Sequence, residues 1–313
     1  MSEAPLPLIS VVVLSYNSAQ YICSTLESIY RQDYEGPMEL IIGDDCSKDN
    51  SVELCQEWIA RHAGRFTRAE ILCPAENQGV ARNVDTCYRA CKGEWVKGIA
   101  GDDILMDDAI RSCYEEAVRA NASFIATAVR TFAEDEQMKT PENCPIMTGK
   151  PVEGDVDLDY VYKNPRFWCC APGFFLSHAM LRDIDYVPQL LRNVEDRPLM
   201  ARVLAHGYKI HVMKRPTVFY RVHSESITAS ESGARFAGYS WLIHRQMMRP
   251  CYDWFRGTDM DLKLLPHFFH ASIGETNWKY TLCKKGTQFI RLLFRLLVLP
   301  WRAVFVRRKN YRH

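Results

Sequence analysis

A chain of 313 residues with 47% hydrophobic and 25% charged side chains can bury a substantial core, which excludes a disordered or low-complexity protein. A formal net charge of +1 gives no overall attraction to nucleic acid. Twelve cysteines without one C-x-x-C pair match no zinc or dithiol pattern and read as reduced, mostly buried thiols.

The amino terminus reaches a strand within ten residues and carries no basic region followed by an apolar one. The chain is therefore expected to work in the cytosol, and the sequon Asn121-Ala122-Ser123 to be a chance match. Strand and helix signals then alternate at βαβ spacing. Residues 9–14 form a β-branched run, and 21–32 a helix with Ile22, Leu26 and Ile29 on one face. Strand 38–42, helix 51–61, a weaker strand 69–72, helix 79–91, strand 95–99, helix 107–120 and strand 123–130 follow. This pattern predicts an α/β fold with a mostly parallel, doubly wound sheet and flanking helices. No Gly-x-Gly-x-x-Gly or Walker A sequence follows any strand, which weakens dinucleotide and P-loop readings.

Two of the strands run into paired carboxylates, Asp44-Asp45 and Asp102-Asp103. Aspartate is a poor strand former and costly to bury unpaired, so an apolar strand ending in Asp-Asp suggests that something cationic meets the pair. One acidic turn alone serves equally well as a helix cap. Two beyond the carboxyl ends of strands in one open sheet mark the place where α/β proteins bind ligands.

Residues 131–165 are acidic and rich in Pro and Asn, and read as a mobile connection. Glu195-Asp196-Arg197-Pro198 opens a helix over 199–206 that Gly207 ends, and strand patterns return at 209–213 and 218–222. A helical pattern covers 236–248. His267 and His270 read as helix-surface residues. Residues 284–313 hold nine basic side chains and no acidic one. Since the chain has 39 basic residues in all, the rest holds 30 against 38 acidic. Arginines interrupt every apolar run in this tail, which predicts an amphipathic helix on an anionic membrane surface rather than a spanning one. A C-terminal helix packed on the body and a basic nucleic-acid contact are the alternatives, and the large aliphatic content opposes the second.

Six motifs in order resemble the inverting family 2 glycosyltransferases of the GT-A (Rossmann-like) fold, especially bacterial enzymes that build O-antigen or capsule. They are Ser10 to Asn17, Asp44-Asp45-Cys46-Ser47-Lys48-Asp49, Asn77-Gln78-Gly79-Val80-Ala81-Arg82-Asn83, Gly101-Asp102-Asp103, Glu195-Asp196 and Tyr220-Arg221-Val222-His223. The resemblance covers residues 9 to about 228. It implies a nucleotide-sugar half over 1–130, an acceptor and base half over 131–230, and a helical, membrane-associating extension over 231–313.

The resemblance also implies roles. Asp45 accepts from uracil, Tyr16 packs near the base, and Arg82 faces the diphosphate. Asp102 turns toward the ribose, while Asp103 and His223 hold a Mn²⁺ or Mg²⁺. Relatives often carry a further Asp where this chain has Ala100, so the metal rests on fewer carboxylates. Asp196 is the general base and Glu195 its neighbour at the acceptor. Phe167 to Gly173 falls where the family forms the acceptor wall. The implied reaction moves a hexose or N-acetylhexosamine from a UDP-sugar to a polyprenyl-diphosphate-linked saccharide, with inversion to a β-linkage. The enzyme would be peripheral, at the cytoplasmic face of the plasma membrane. Two rivals stay open. A sugar nucleotidyltransferase needs a glycine-rich basic loop, which Leu14-Ser15-Tyr16-Asn17 is not, and a non-catalytic nucleotide-binding scaffold has no need of Asp103 and Asp196.

Overall fold

Ile9, Val11, Val12 and Val13 are all fully buried, as expected of a parallel strand covered on both faces. They belong to β1 (Ile9–Ser15) at the heart of a ten-stranded sheet. The computed structural model describes residues 5–133, 146–147, 152–164, 167–223, 243–252, 256, 258–263 and 278–297. The chain divides into two units, Met1–His223 and Ser224–His313.

In the first unit β1 is followed by α1 (Ile22–Tyr30), β2 (Met38–Asp44), α2 (Ser51–His62), β3 (Ala69–Leu72), α3 (Val80–Ala90), β4 (Trp95–Ala100), β5 (Ile104–Leu105), α4 (Ala109–Ala120) and β6 (Phe124–Ala133). Then come β7 (Ile146–Met147), β8 (Gly154–Val156), α5 (Leu158–Lys163), β9 (Phe174–Ser177), α6 (His178–Asp183), α7 (Asp196–Ala205) and β10 (Ile210–Val222). The sheet order is β3-β2-β1-β4-β9-β6-β10-β5, with β7 on β6 and β8 on β10. Val12 stands opposite both Ile41 and Gly98, which sets the register of the parallel centre. Ile22, Leu26 and Ile29 of α1 join Val11, Val13, Leu40, Ile42, Ile99 and Ile110 in one buried cluster. A Cβ on Gly43 would collide with Cys87 Sγ and with Asn83, so this glycine lets α3 lie close against β2.

The sheet is mixed, which corrects the expectation of a mostly parallel one. β9 runs antiparallel between β4 and β6, and β5, β7 and β8 also pair antiparallel. Its sequence, Phe174-Phe175-Leu176-Ser177, is a short apolar run without alternation, a pattern that periodicity does not separate from a helix. The region read as a mobile connection contains ordered elements among its described residues. β6 continues to Ala133, and β8 and α5 occupy 154–163. The strand patterns at 209–213 and 218–222 are one strand, β10, whose pairing with β6 shifts register around Pro216. None of the ten cysteines whose side chains are described is paired, and five of them are buried.

In the second unit, residues 244–248 form a π-type turn and Trp278–Leu297 forms α8. The rest of the expected 236–248 helix up to 242, together with His267, His270 and the tail beyond 297, lies outside the described residues. Asp259 is buried and accepts two hydrogen bonds from each of Arg291 and Arg295 of α8, at 2.8–3.1 Å. At 100° per residue these two arginines share one side of α8. Phe289, Ile290, Leu292, Leu293 and Leu296 occupy the other and are 39–63% exposed. Among the described residues no helix is long and apolar enough to cross a membrane.

Candidate active site

β1, β2, β4 and β10 deliver their carboxyl ends to one edge of the sheet, where nearly all the residues singled out from the sequence lie. β4 ends at Ala100, and the Gly101-Asp102-Asp103 turn is held by Gly101 N donating to Leu14 O at 2.8 Å and Thr25 Oγ1 donating to Asp103 O at 2.7 Å. The end of β10 returns to the same turn. Arg221 N donates to Asp103 Oδ1 at 2.9 Å, Arg221 Nε donates to Asp102 O at 2.8 Å, and His223 Nε2 meets Asp102 Oδ2 at 3.0 Å. The Arg221 guanidinium lies between the rings of Tyr21 and Phe132, 4.5 and 4.6 Å from their centroids. Tyr21 also packs on His223, ring to ring at 5.1 Å.

Asp103 is fully buried and its Oδ2 has no hydrogen-bond partner. Burial drives its carboxyl well above the usual range, and the adjacent Asp102 adds to this. The Arg221 amide and guanidinium and the Lys97 charge oppose it. An orphaned buried carboxylate oxygen next to a second carboxylate and an imidazole suits a divalent cation. Among the described residues no group of three or more His, Cys, Asp or Glu side chains could hold one. The donor set therefore fits a Mg²⁺- or Mn²⁺-type ion that takes the rest of its ligands from phosphate and water. His223 was expected on the metal with Asp103, and here it pairs with Asp102.

The side expected to take the nucleotide is built from three turns. Asp45 N donates to Ser15 O at 2.9 Å, and Asn17 is tied to Ser47 and Lys48 at 2.8 Å, so the turns that carry Tyr16 and Asp44-Asp45 are bonded to each other. Asp44 accepts from Ser15, Ser47 N and Ser47 Oγ. Asp45 does not cap α2, a task that falls to Asp49 through Ser51. Its two oxygens accept instead from Gln78 N and Gly79 N at 2.7 and 2.8 Å, fixing the loop before α3. Arg192 grips that loop as well, donating to Asn77 O and Oδ1 and accepting from Ala81 N, while Gln189 donates to Ala81 O. Gly79, at φ 89°, leaves room for the Arg192 side chain. Arg82 is exposed in the first turn of α3, and Tyr16 is 48% exposed.

Glu195 and Asp196 begin α7. Asp196 Oδ1 accepts from Arg197 N at 2.6 Å and Oδ2 from Trp168 Nε1 at 2.9 Å. Burial pushes Glu195 up to about 8, with Asp196 adding to it, and burial raises Asp196 too against the Trp168 and Arg197 hydrogen bonds. Burial raises the Cys170 thiol well above its usual range, and the charges of Asp103, Asp196 and Glu195 add to this. Lys97, fully buried in β4, donates to Pro172 O and Phe174 O, and burial lowers it to about 8. Sequence reasoning assigned no role to Lys97 or Tyr21, and placed Trp168 only within the 167–173 stretch expected to form the acceptor wall. A lysine in the middle of an apolar strand was the available signal for the first.

The fold agrees with solved structures. Staphylococcus aureus TarS, residues 1–349 in complex with UDP-GlcNAc, superposes with a TM-score of 0.63 at 15% identity, covering 91% of this chain and 81% of that one. The mannosyltransferase PcManGT of Pyrobaculum calidifontis, in complex with GDP-Man and Mn²⁺, gives 0.59 at 15%, covering 94% and 87%. In sequence, Bacillus subtilis TuaG, named for teichuronic acid biosynthesis, is 23% identical over 78% of this chain and 89% of its own length. Glycosyltransferase GlyG of Streptococcus pneumoniae is 30% identical over 41% of each, so the chain spans less than half of that relative. The profile of glycosyl transferase family 2 matches residues 10–184, from β1 through both Asp-Asp turns to the end of α6. With more than half of its length inside that match, this protein belongs to glycosyl transferase family 2.

Proposed function

We propose that the protein is an inverting glycosyltransferase of bacterial surface-polysaccharide synthesis that moves a hexose or N-acetylhexosamine from a UDP-sugar to a polyprenyl-diphosphate-linked saccharide. The observation that carries this reading is the fully buried Asp103, whose Oδ2 has no partner, at the turn where β4 and the end of β10 meet. In this reading Asp103 serves the nucleotide and the Glu195-Asp196 pair the acceptor, as a single displacement requires. Asp196 takes the proton of the acceptor hydroxyl as its oxygen bonds to the anomeric carbon, and the bond to the diphosphate breaks with its electron pair leaving on UDP. Attack from the face opposite the leaving group turns an α-linked donor into a β-linked product. Asp103, with His223, would hold a Mn²⁺ or Mg²⁺, which when bound neutralises charge on the departing diphosphate, while Asp102 turns toward the ribose. Asp45 accepts from the uracil edge with its remaining lone pairs, Tyr16 packs on the base, and Arg82 faces the phosphates from the start of α3, where the helix end also favours negative charge. TarS, solved with UDP and UDP-GlcNAc, and TuaG, named for teichuronic acid biosynthesis, support the donor and the pathway class.

The test is UDP, GDP or dTDP release from their sugar conjugates, with and without Mn²⁺. Metal-dependent turnover of UDP-glucose, UDP-galactose or an N-acetyl form is expected. GDP-sugar turnover alone would overturn the donor assignment, and no nucleotide binding would favour a scaffold.

We also propose that the enzyme works at the cytoplasmic face of the plasma membrane, held there by α8. Its apolar side is exposed, Lys284 and Lys285 stand near its start, and Asp259 draws Arg291 and Arg295 to the opposite side. Ile290→Glu with Leu293→Glu should lower sedimentation with phosphatidylglycerol vesicles at least tenfold and leave UDP-sugar hydrolysis unchanged. Equal sedimentation of both proteins would remove α8 from the membrane reading.

A further inference from the structure

The orientation of Asp196 depends on a side chain 28 residues earlier. Trp168 packs its ring against the main core cluster, and its one polar atom, Nε1, donates to Asp196 Oδ2 at 2.9 Å. A partly buried indole N–H needs such a partner. The other oxygen is taken by Arg197 N, a donor on the same helix. One donor leaves a carboxylate free to turn about its bond to the chain. Two donors from separate segments fix its plane, and with it the direction of the lone pairs left for a proton.

The segment that carries Trp168 is itself fastened to the sheet. Lys97 donates from the middle of β4 to Pro172 O and Phe174 O. Thr127 Oγ1 of β6 meets Gly173 O at 3.2 Å and Thr217 Oγ1 of β10 at 2.6 Å. A Cβ on Gly173 would collide with Thr127 O, so glycine allows the close approach. Three strands thus set the position of residues 172–174, and Trp168 carries that position to Asp196. The groups facing Asp196 are Glu195 and Arg197 beside it and Cys169 and Cys170 from the Trp168 segment, while Tyr88 of α3 faces Glu195. Burial pushes the Cys169 thiol up to about 12 and Cys170 well above its usual range, so neither competes as an anion.

We propose that Trp168 is a positioning residue for the base, holding the Asp196 carboxylate in one orientation and stabilising its anionic form through the indole N–H. The inference rests on Asp196 being the base. Without this donor the carboxylate keeps its burial but loses a hydrogen bond to its charged form, so it binds a proton more readily and turns more freely.

The experiment compares wild type, Trp168→Phe and Asp196→Asn by UDP release across pH, using whichever of UDP-glucose, UDP-galactose and their N-acetyl forms turns over. Trp168→Phe should lower kcat about tenfold near neutral pH, the scale of one hydrogen bond to a charged group. Its acidic limb should move to higher pH by roughly half a unit to one unit, with KM for the donor little changed. Benzothienylalanine at position 168, which puts sulfur in place of N–H at nearly the same shape, should reproduce the shift and gives the same reading if Phe disturbs folding. A wild-type pH profile and kcat in either variant, or a change confined to KM, would overturn the role of Trp168. Retained turnover in Asp196→Asn would instead remove the base assignment itself.

Discussion

Asp196→Asn is expected to lower kcat by about 10²- to 10⁴-fold, the range that a general base supplies, while leaving donor binding intact. Asparagine keeps the shape, although with a single acceptor oxygen it can accept from Trp168 Nε1 or from Arg197 N, not from both of the donors that orient the carboxylate. What it loses is the capacity to take a proton. Binding should survive because Tyr16, Asp45 and Arg82 stand on turns that Asp196 does not touch. In the wild type the acidic limb of kcat should lie above the range of a free aspartate, because burial raises both Asp196 and Glu195. The sign is fixed by the role: the base works ionised, so activity falls as pH falls through the titration of the pair. UDP release across pH, with calorimetric titration of UDP, checks both parts. A variant that turns over like the wild type sinks the base assignment.

Asp103→Asn should cost about 10²- to 10³-fold in metal-dependent turnover, the scale of removing one preorganised electrostatic contact. The fold should survive, because the asparagine oxygen can still accept from Arg221 N and the backbone oxygen from Thr25. The substitution removes a negative charge from a fully buried site whose Oδ2 has no protein partner. Thermal unfolding gives a second readout. UDP with Mn²⁺ should raise the Tm of the wild type, and the increment from Mn²⁺ should vanish in the variant. The same increment in both proteins would move the metal away from Asp103.

The parallel half of the sheet was legible because a strand buried on both faces must be a run of Val, Ile and Leu bounded by turn residues, as 9–14 and 38–42 are. β9 was not, since three apolar residues after Pro172-Gly173 carry no period, and its place between β4 and β6 is decided by packing. The acidic turns were legible as a site because Asp-Asp after an apolar strand is costly without a partner. Their finer geometry was hidden. Nothing local to Asp45 says that it holds Gln78 and Gly79, and nothing local to Asp102 says that His223 will reach it across 121 residues of chain. The tail was read correctly as basic, but not that two of its arginines meet Asp259, a residue far enough away in sequence to leave no periodic trace.

Gln189 and Arg192 lie beyond residue 184, where the family match ends, yet they grip the 77–81 loop that the match contains. A chimera joined at that seam would put a foreign clamp on a native loop, and Glu195 and Asp196 follow the clamp within four residues. Exchange of sugar specificity between relatives is therefore better attempted by transplanting the loop, the clamp and the start of α7 as one cassette than by trading halves of the chain.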